Sequence, residues 1–389
     1  MKYTCFLLVL FVLINIPICE TQTATSPLWA DLKPGKFDPG FTTVFLVDSS
    51  RLMRSTDSLP HAIHGRPIRL KIYYPGFQTQ SDIKLRFSEQ INIIPENPQF
   101  ATYNTILSQR DHRLQGQFHP SSDSLLRVLL HLETMAYWNI PRADVRLPLL
   151  IYVLGLDDHQ MENSIMWEYL ASHGYIVAVL PCFGPDMENK FVSYDSAGVM
   201  VSYQDATTAL QYILRHYPVD EERIGAIGHS FGGLVVHYLS TKNFEIKAIA
   251  TLDGSQNMER GQPIIEKLNL FASKVRIPML CLYTMAQGAR DLSYVHLQEG
   301  PLYEFAFTRA SHFDFQNWPM YAVVTATPDA RGERLRNMKE GRDILIHVIR
   351  MTRHFFDYVF YQKEEGEAYI KGISREAKNV SALGEFNHE

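Results

Sequence analysis

The chain has 389 residues, enough for a large buried core in one domain or in two smaller ones. Hydrophobic residues make up 46% of the sequence and charged residues 20%, which is an ordinary globular balance. The formal net charge is -5 and no basic residues cluster on one segment, so we expect no nucleic-acid partner. The 15 histidines show no paired spacing typical of a zinc site, and we expect neither a metal nor a cofactor.

The first residues have the pattern of a secretory signal peptide. Met1-Lys2 precedes a short apolar run, Phe6 to Ile14, and a bilayer core needs roughly 20 residues. We predict a signal over residues 1–19, whose end is undefined because no pair of small residues marks a cleavage site. The protein is then exported, either secreted or periplasmic, and Cys19 is a candidate for lipid anchoring. The alternative is a buried N-terminal strand or helix.

Strand-like patterns come first in the rest of the chain. Thr43 to Val47 and the alternating run RPIRLKIYYP at 66–75 predict two antiparallel strands, the second with one buried face. Residues 76–145 lack a clear period, except that LLRVLLHLETMAYW at 125–138 predicts a helix. We interpret 76–145 as an insertion that covers a site.

From residue 146 onward, short apolar runs alternate with helical patterns. The predicted strands are RLPLLIYVLG, YIVAVLP, RIGAIG, IKAIATLD, IPMLCLYT and YEFAFTRA. The predicted helices are MENSIMWEYLASHG, SYQDATTALQYILRHYP, FGGLVVHYLS and GRDILIHVIRMTRHFFDYVFYQ. This alternation is typical of βαβ units, which build a mostly parallel sheet covered by helices on both faces. We predict one α/β domain over 27–365 and a loose polar tail over 366–389.

The stretch GHSFGG at 228–233 lies between a predicted strand and a predicted helix. It contains the pattern G-x-S-x-G, and this context is the one that a nucleophile elbow requires. Glycines two residues on either side of Ser230 relieve the crowding of so tight a turn. We predict that Ser230 is a catalytic nucleophile and that the Phe231 N–H, at the positive end of the helix, binds an oxyanion. The alternative is a tight turn with an incidental serine.

A serine nucleophile needs a histidine base, and the histidine needs a carboxylate that holds its tautomer. In the fold with this elbow, the acid and then the histidine follow the serine along the chain. Both should lie at the carboxyl ends of later strands. Asp253 ends the strand after the elbow helix and is the predicted acid, with Asp291 beyond the following strand as the alternative. Either aspartate could instead be a helix cap or a turn residue.

The predicted base is His312, which comes just after the strand-like run YEFAFTRA. His296 precedes that strand, whereas His347 and His354 lie inside the terminal helical pattern. Asp314 follows the base in the chain and is interpreted as a loop residue. The second oxyanion donor should come from the loop after PLLIYVLG, where Gly155 allows the backbone to turn, and we predict the Leu156 N–H.

Several segments resemble the plasma-type platelet-activating-factor acetylhydrolase family of α/β-hydrolases, with dienelactone hydrolases as more distant relatives. They are RIGAIGHSFGG, ATLDGS, ASHFDF, LASHGYIVAVLP, GKFDPGF and LKIYYPG, which span residues 35–315. An acid directly after the next strand is similar to that family and favours Asp253 over Asp291. Family members often read His-Gly-x-Gly at the oxyanion loop, where this chain has Leu154-Gly155-Leu156-Asp157.

The resemblance implies the α/β-hydrolase fold and hydrolysis of short or oxidised acyl esters of lipids, without metal. The expected protein is thus an exported serine ester hydrolase in lipid degradation. Its expected partner is a small-molecule or lipid ester, with membrane-surface association and oligomeric state left open. The alternatives are a peptidase, amidase or dienelactone-type hydrolase with the same residues, and a binding protein that has lost its chemistry.

Modification sites are few in this sequence. Cys182 and Cys281 lie in or beside apolar runs and are predicted to be free buried thiols rather than a disulfide. Asn379-Val380-Ser381 fits the glycan acceptor pattern, for which a chance match is the expectation.

Overall fold

The structure is a computed structural model. It describes residues 25–51, 63–117, 123–186, 189–243, 245–270, 275–285, 290–291, 298–326, 332–376 and 380–382. The predicted signal peptide, Cys19 and the glycan-acceptor Asn379 lie outside these residues. Within these ranges, no helix has both the length and the apolar character that a membrane span requires.

Eleven strands in the described part of the chain form one sheet. They are β1 (Asp38–Asp48), β2 (Arg66–Gly76), β3 (Lys84–Arg86), β4 (Glu133–Trp138), β5 (Leu147–Val153), β6 (Ile176–Val179), β7 (Val219–His229), β8 (Ile246–Leu252), β9 (Met279–Thr284), β10 (Leu302–Phe307) and β11 (Val380–Ala382). Their order is β11-β10-β9-β8-β7-β5-β6-β2-β1-β4-β3. Neighbouring strands from β6 to β10 are parallel, whereas β2 is antiparallel to both β1 and β6. The predicted parallel sheet with antiparallel N-terminal strands is confirmed.

Helices cover both faces of this sheet. They are α1 (Ala101–Gln117), α2 (Asp123–His131), α3 (Ser164–Ser172), α4 (Ser196–His216), α5 (Phe231–Lys242), α6 (Gln262–Lys267), α7 (Trp318–Val324), α8 (Gly332–Tyr361) and α9 (Glu364–Glu376). Helices α4 and α5 pack together, and α3 packs against α8. Strands β5, β6 and β9 are buried along their whole length, which is why they read as continuous apolar runs. Cys182 and Cys281 are free and buried, as predicted.

Two predictions are wrong here, one for a helix inside the insertion and one for the strand that precedes it. The predicted helix at 125–138 ends at His131, and residues 133–138 form β4, which pairs with β1 and β3. Pairing with an existing sheet edge decided the conformation of these residues, which include Thr134 and two aromatics that favour strands. The expected exposed face of β2 is also wrong, because α1 covers it and buries Arg69 and Lys71 completely.

The expectation of a loose tail is wrong for residues 366–376 and 380–382. Helix α9 packs against α8, and its Ile370 and Ile373 lie in the core. Strand β11 adds to the sheet edge, with Val380 paired antiparallel to Phe307. The two isoleucines are three residues apart and therefore share one helix face, so a polar composition concealed an amphipathic helix.

Candidate active site

The turn at Ser230 joins β7 to α5. Ser230 has φ 51° and ψ -118°, a backbone conformation that residues other than glycine rarely adopt. A Cβ on Gly228 would lie 2.3 Å from the Gly232 carbonyl oxygen, and a Cβ on Gly232 would lie 2.3 Å from that of Val153. Gly228 is therefore required by crowding inside the turn, as the sequence pattern predicts. Gly232 is required because the end of β5 lies against it.

Ser230, His312 and Asp253 meet at the carboxyl edge of the parallel strands. His312 Nε2 lies 3.0 Å from Ser230 Oγ, and His312 Nδ1 lies 2.5 Å from Asp253 Oδ2. Asp253 is fully buried, whereas the His312 side chain is 14% exposed. With its Nδ1 proton donated to the carboxylate, His312 presents Nε2 as the acceptor for the serine proton. The geometry permits nucleophilic catalysis by the serine.

The surroundings keep His312 neutral and Asp253 charged. Burial lowers the pKa of His312, the bond to Asp253 opposes this, and the nearby charge of His229 lowers it further. Burial would raise the pKa of Asp253, but the hydrogen bond from His312 and the charge of Arg290 outweigh it and hold that pKa below its usual value. A neutral imidazole beside an ionised carboxylate is the starting state of a general base.

The backbone of the alternative acid, Asp291, is anchored to the turn that follows Asp253, because its N–H donates to the Asn257 carbonyl at 3.1 Å. His347 and His354 lie within α8, and His296 lies outside the described residues. The carboxylate that meets His312 belongs to Asp253.

The loop after β5 runs beside the elbow. A Cβ on Gly155 would lie 3.4 Å from Ser230 Cβ and 3.0 Å from His229 Nδ1. The Gly155 N–H points away, toward Glu162 Oε2 at 3.4 Å. Within the described residues, the N–H groups of Leu156 and Phe231 have no hydrogen-bond acceptor. An oxyanion hole needs free N–H groups beside the nucleophile, and these two N–H groups, on the residue after Ser230 and on the residue after Gly155, are its predicted donors.

A buried polar network lies behind His312, and its members escaped the sequence analysis. The His229 ring is 4.8 Å from the His312 ring, centroid to centroid. Gln316 Nε2 lies 3.1 Å from His229 Nδ1 and 3.3 Å from Glu162 Oε2, and it also donates to Asp158. The four residues come from three segments of the chain, since only Asp158 and Glu162 are close in sequence, so no local spacing signals the whole network.

Asp158, Glu162 and His229 have ligand atoms within 4.8 Å of one another, a separation that could suit a metal ion. The amide nitrogen of Gln316, however, lies within hydrogen-bond distance of all three side chains. It takes the position that a cation would need. We therefore describe this group as an internal hydrogen-bond network.

Both carboxyl groups of this network are expected to keep their protons to a higher pH than ordinary carboxyl groups do. Burial and the neighbouring Glu162 raise the pKa of Asp158 to about 8. Burial raises the pKa of Glu162 to about 7. Because the unfolded chain releases these protons near pH 4, the native state binds more protons between pH 4 and pH 8. This part of the folding free energy is therefore complete at low pH and is lost as the pH rises to about 8.

Asp158→Asn should flatten that loss. The amide keeps the polar contacts but cannot ionise, so the variant should gain on the order of 2 kcal/mol relative to wild type between pH 5 and pH 8. Urea unfolding from pH 5 to pH 9 measures the difference. Asp343→Asn, at a 58% exposed aspartate, is the matched control. If the free energy of unfolding depended on pH in the same way in wild type and in Asp158→Asn, the raised pKa of Asp158 would be contradicted.

Comparison with known proteins agrees with this architecture. Residues 199–296, less than half of the chain, match the sequence profile of the family described as BAAT / Acyl-CoA thioester hydrolase C terminal. That segment contains Ser230 and Asp253. No curated protein sequence matches the chain.

Among solved structures, the chain is similar to the ferulic acid esterase from Streptomyces cinnamoneus. The identity is 18% with a TM-score of 0.61, and the match covers 90% of this chain and 98% of that one. A likeness at this identity concerns the fold. Together with the strand order and the elbow between β7 and α5, it shows that this chain has the α/β-hydrolase fold.

Proposed function

We propose that this protein is a serine hydrolase of carboxylic esters that works through an acyl-enzyme. The observation that carries the proposal is the hydrogen-bonded series from Ser230 Oγ through His312 to Asp253, with the serine on a strained elbow. The ester class is supported by the likeness to an esterase and by the acyl thioester hydrolase profile. These two comparisons support the class of reaction, and the substrate is proposed separately below.

In the proposed mechanism, Ser230 Oγ attacks the ester carbonyl while His312 Nε2 accepts the hydroxyl proton. Asp253 stabilises the imidazolium, and the N–H groups of Phe231 and Leu156 bind the oxyanion. His312 returns the proton to the leaving alkoxide, which departs as the alcohol. Water then attacks the acyl-enzyme with His312 as base, and the acid is released with Ser230 restored.

For the substrate, we propose a short-acyl or oxidised-lipid ester, met outside the cell. The support is the resemblance of six segments, including the elbow and the two triad loops, to the plasma-type platelet-activating-factor acetylhydrolases. A thioester is the second candidate, because the profile matched at 199–296 belongs to a family that includes acyl-CoA thioester hydrolases. The ferulic acid esterase adds aromatic acid esters to the panel to be tested.

An acyl series on the purified full chain tests this proposal. It compares p-nitrophenyl esters of increasing chain length, a phospholipid with a short sn-2 acyl chain, a feruloyl ester, an acyl-CoA and a p-nitroanilide. We expect ester turnover that falls with chain length and extends to the phospholipid. Turnover confined to the acyl-CoA would favour the second candidate, and turnover confined to the anilide would favour an amidase. Absence of turnover and of fluorophosphonate labelling at Ser230 would overturn the proposal.

A further inference from the structure

Arg290 forms an ion pair with the carboxylate that orients His312. Its Nη2 lies 2.6 Å from Asp253 Oδ1, and the other oxygen, Oδ2, lies 2.5 Å from His312 Nδ1. The Thr284 N–H donates to Oδ1 at 3.0 Å. The carboxylate is thus divided between a histidine on one oxygen and an arginine on the other. The mechanism above assigns no task to the arginine.

The guanidinium has few other attachments. The Arg290 side chain is 10% exposed, and its buried Nε and Nη1 have no hydrogen-bond partner in the part of the chain that the structure describes. The guanidinium carbon, Cζ of Arg290, lies 5.6 Å from the centre of the Tyr283 ring. Burial of a cation is costly unless it is paired, and Asp253 is its ion-pair partner within the described residues. An arginine that served packing alone would be expected to satisfy more of its donors.

The backbone holds Arg290 beside the acid. Arg290 forms an antiparallel bridge with Met258, and the next residue donates its N–H to the Asn257 carbonyl. Asn257 and Met258 belong to the turn that follows Asp253. The turn after β8 therefore carries the acid and also anchors the segment from which the arginine reaches it.

We propose that Arg290 is a positioning residue for the base: it holds Asp253 ionised and turned toward His312, and its positive charge opposes protonation of the imidazole. The inference rests on the proposed function, since it takes His312 as the base. Its consequence is a histidine that stays neutral, and therefore active, to a lower pH than Asp253 alone would allow.

The charged groups around His312 set the sign of the effect. Asp253, from the end of β8, favours the imidazolium. His229, from the end of β7, and Arg260, from the turn before α6, oppose it. Arg290 pairs with the same carboxylate and adds a permanent positive charge on that side. Removal of this charge takes away one of the three groups that oppose the attraction of Asp253, so His312 should gain its proton at a higher pH.

A histidine titration measures this directly. NMR of the full chain carrying [13Cε1]-histidine, with the His312 signal identified by its loss in His312→Gln, gives the midpoint for each variant. We expect Arg290→Gln to raise the His312 midpoint by about one pH unit. Arg290→Lys keeps the charge and should stay close to wild type. Arg276→Gln is the matched control, because Arg276 lies before the opposite end of β9 and is 78% exposed.

A second readout follows the rate at which a fluorophosphonate labels Ser230 between pH 4 and pH 9. The acid limb of this rate should move to higher pH in Arg290→Gln by the same amount as the NMR midpoint. If Arg290→Gln does not fold, Arg290→Met provides a neutral side chain of similar length for both measurements.

An unchanged or lowered His312 midpoint in a folded neutral variant would overturn the inference. So would an equal rise in Arg290→Gln and Arg290→Lys, because the effect would then not come from charge. Wild type that is not labelled at Ser230 would instead count against the proposed function. In that case the NMR titration still decides whether Arg290 controls the histidine.

Discussion

Ser230→Ala should lower kcat/KM for the best ester of the acyl series at least about a thousandfold. The substitution removes the nucleophile and leaves His312 and Asp253 in contact with each other. What remains is the oxyanion hole and substrate binding, which alone give only a small rate. Steady-state kinetics with the substrate in excess, beside a blank without protein, measure the loss. Wild-type turnover in this variant would show that another group carries the reaction.

Ser230→Gly is the matched variant, since it removes the same hydroxyl but relieves the backbone. Glycine accepts φ 51° readily, whereas alanine carries the same strain as serine. Both variants should be inactive, and Ser230→Gly should be more stable than Ser230→Ala by about 1 kcal/mol. Urea unfolding of the pair separates the strain of the elbow from its chemistry. Equal stabilities would mean that the turn stores no such strain.

Asp111→Ala should lower the free energy of unfolding by about 3–5 kcal/mol. Asp111 belongs to α1, and its Oδ2 lies 2.7 Å from Arg69 Nη2 and 3.5 Å from Lys71 Nζ. Both basic side chains are fully buried. Burial, and to a smaller extent the charge of Arg69, already lower the pKa of Lys71 to about 7, while Asp111 opposes this. Loss of the carboxylate would leave the Arg69 guanidinium unpaired in the interior. It would also lower the pKa of Lys71 further, so that Lys71 would stay there as a neutral amine without its partner. Equilibrium urea unfolding measures the change.

The same variant should also impair catalysis. Asp111 Oδ1 accepts the Gln160 N–H at 3.1 Å, and the Gln160 carbonyl accepts from Lys71 at 3.1 Å. Gln160 follows Leu156 in the loop that borders Ser230. Loss of these contacts should release that loop and reduce kcat more than it raises KM.

A double variant supplies the control for this prediction. Asp111→Ala combined with Lys71→Met replaces the buried amine that has lost its partner with an apolar side chain and should recover part of the lost stability. A loss of less than about 1 kcal/mol in Asp111→Ala alone would contradict the claim that the buried charges depend on this carboxylate.

The elements that could be predicted are those whose signal lies within a few residues. Strands buried on both faces become continuous apolar runs, and the elbow needs glycine at fixed offsets from the serine. The same local reasoning failed where a partner decides the outcome. Residues 133–138 continue a helical apolar pattern but pair with β1, and the alternating β2 has both faces covered because α1 packs on it.

The site divides in the same way. Ser230, Asp253 and His312 each follow a predicted strand, so chain order and strand ends were enough to nominate them, and the structure brings the three side chains into contact. Arg290 and Gln316 follow no such rule. Each reaches the site from a segment with no periodic pattern of its own.

The amino-acid sequence by itself determined the alternation of strands and helices, the elbow and the order of the reactive residues, because each depends on local backbone geometry and on burial with a short period. Only the tertiary structure decided which charges are paired inside the protein. Asp111 with Arg69, and Arg290 with Asp253, lie 42 and 37 residues apart in the chain. Such contacts leave no local trace, because folding alone brings their side chains together, and the cost of burying a charge selects the pairing.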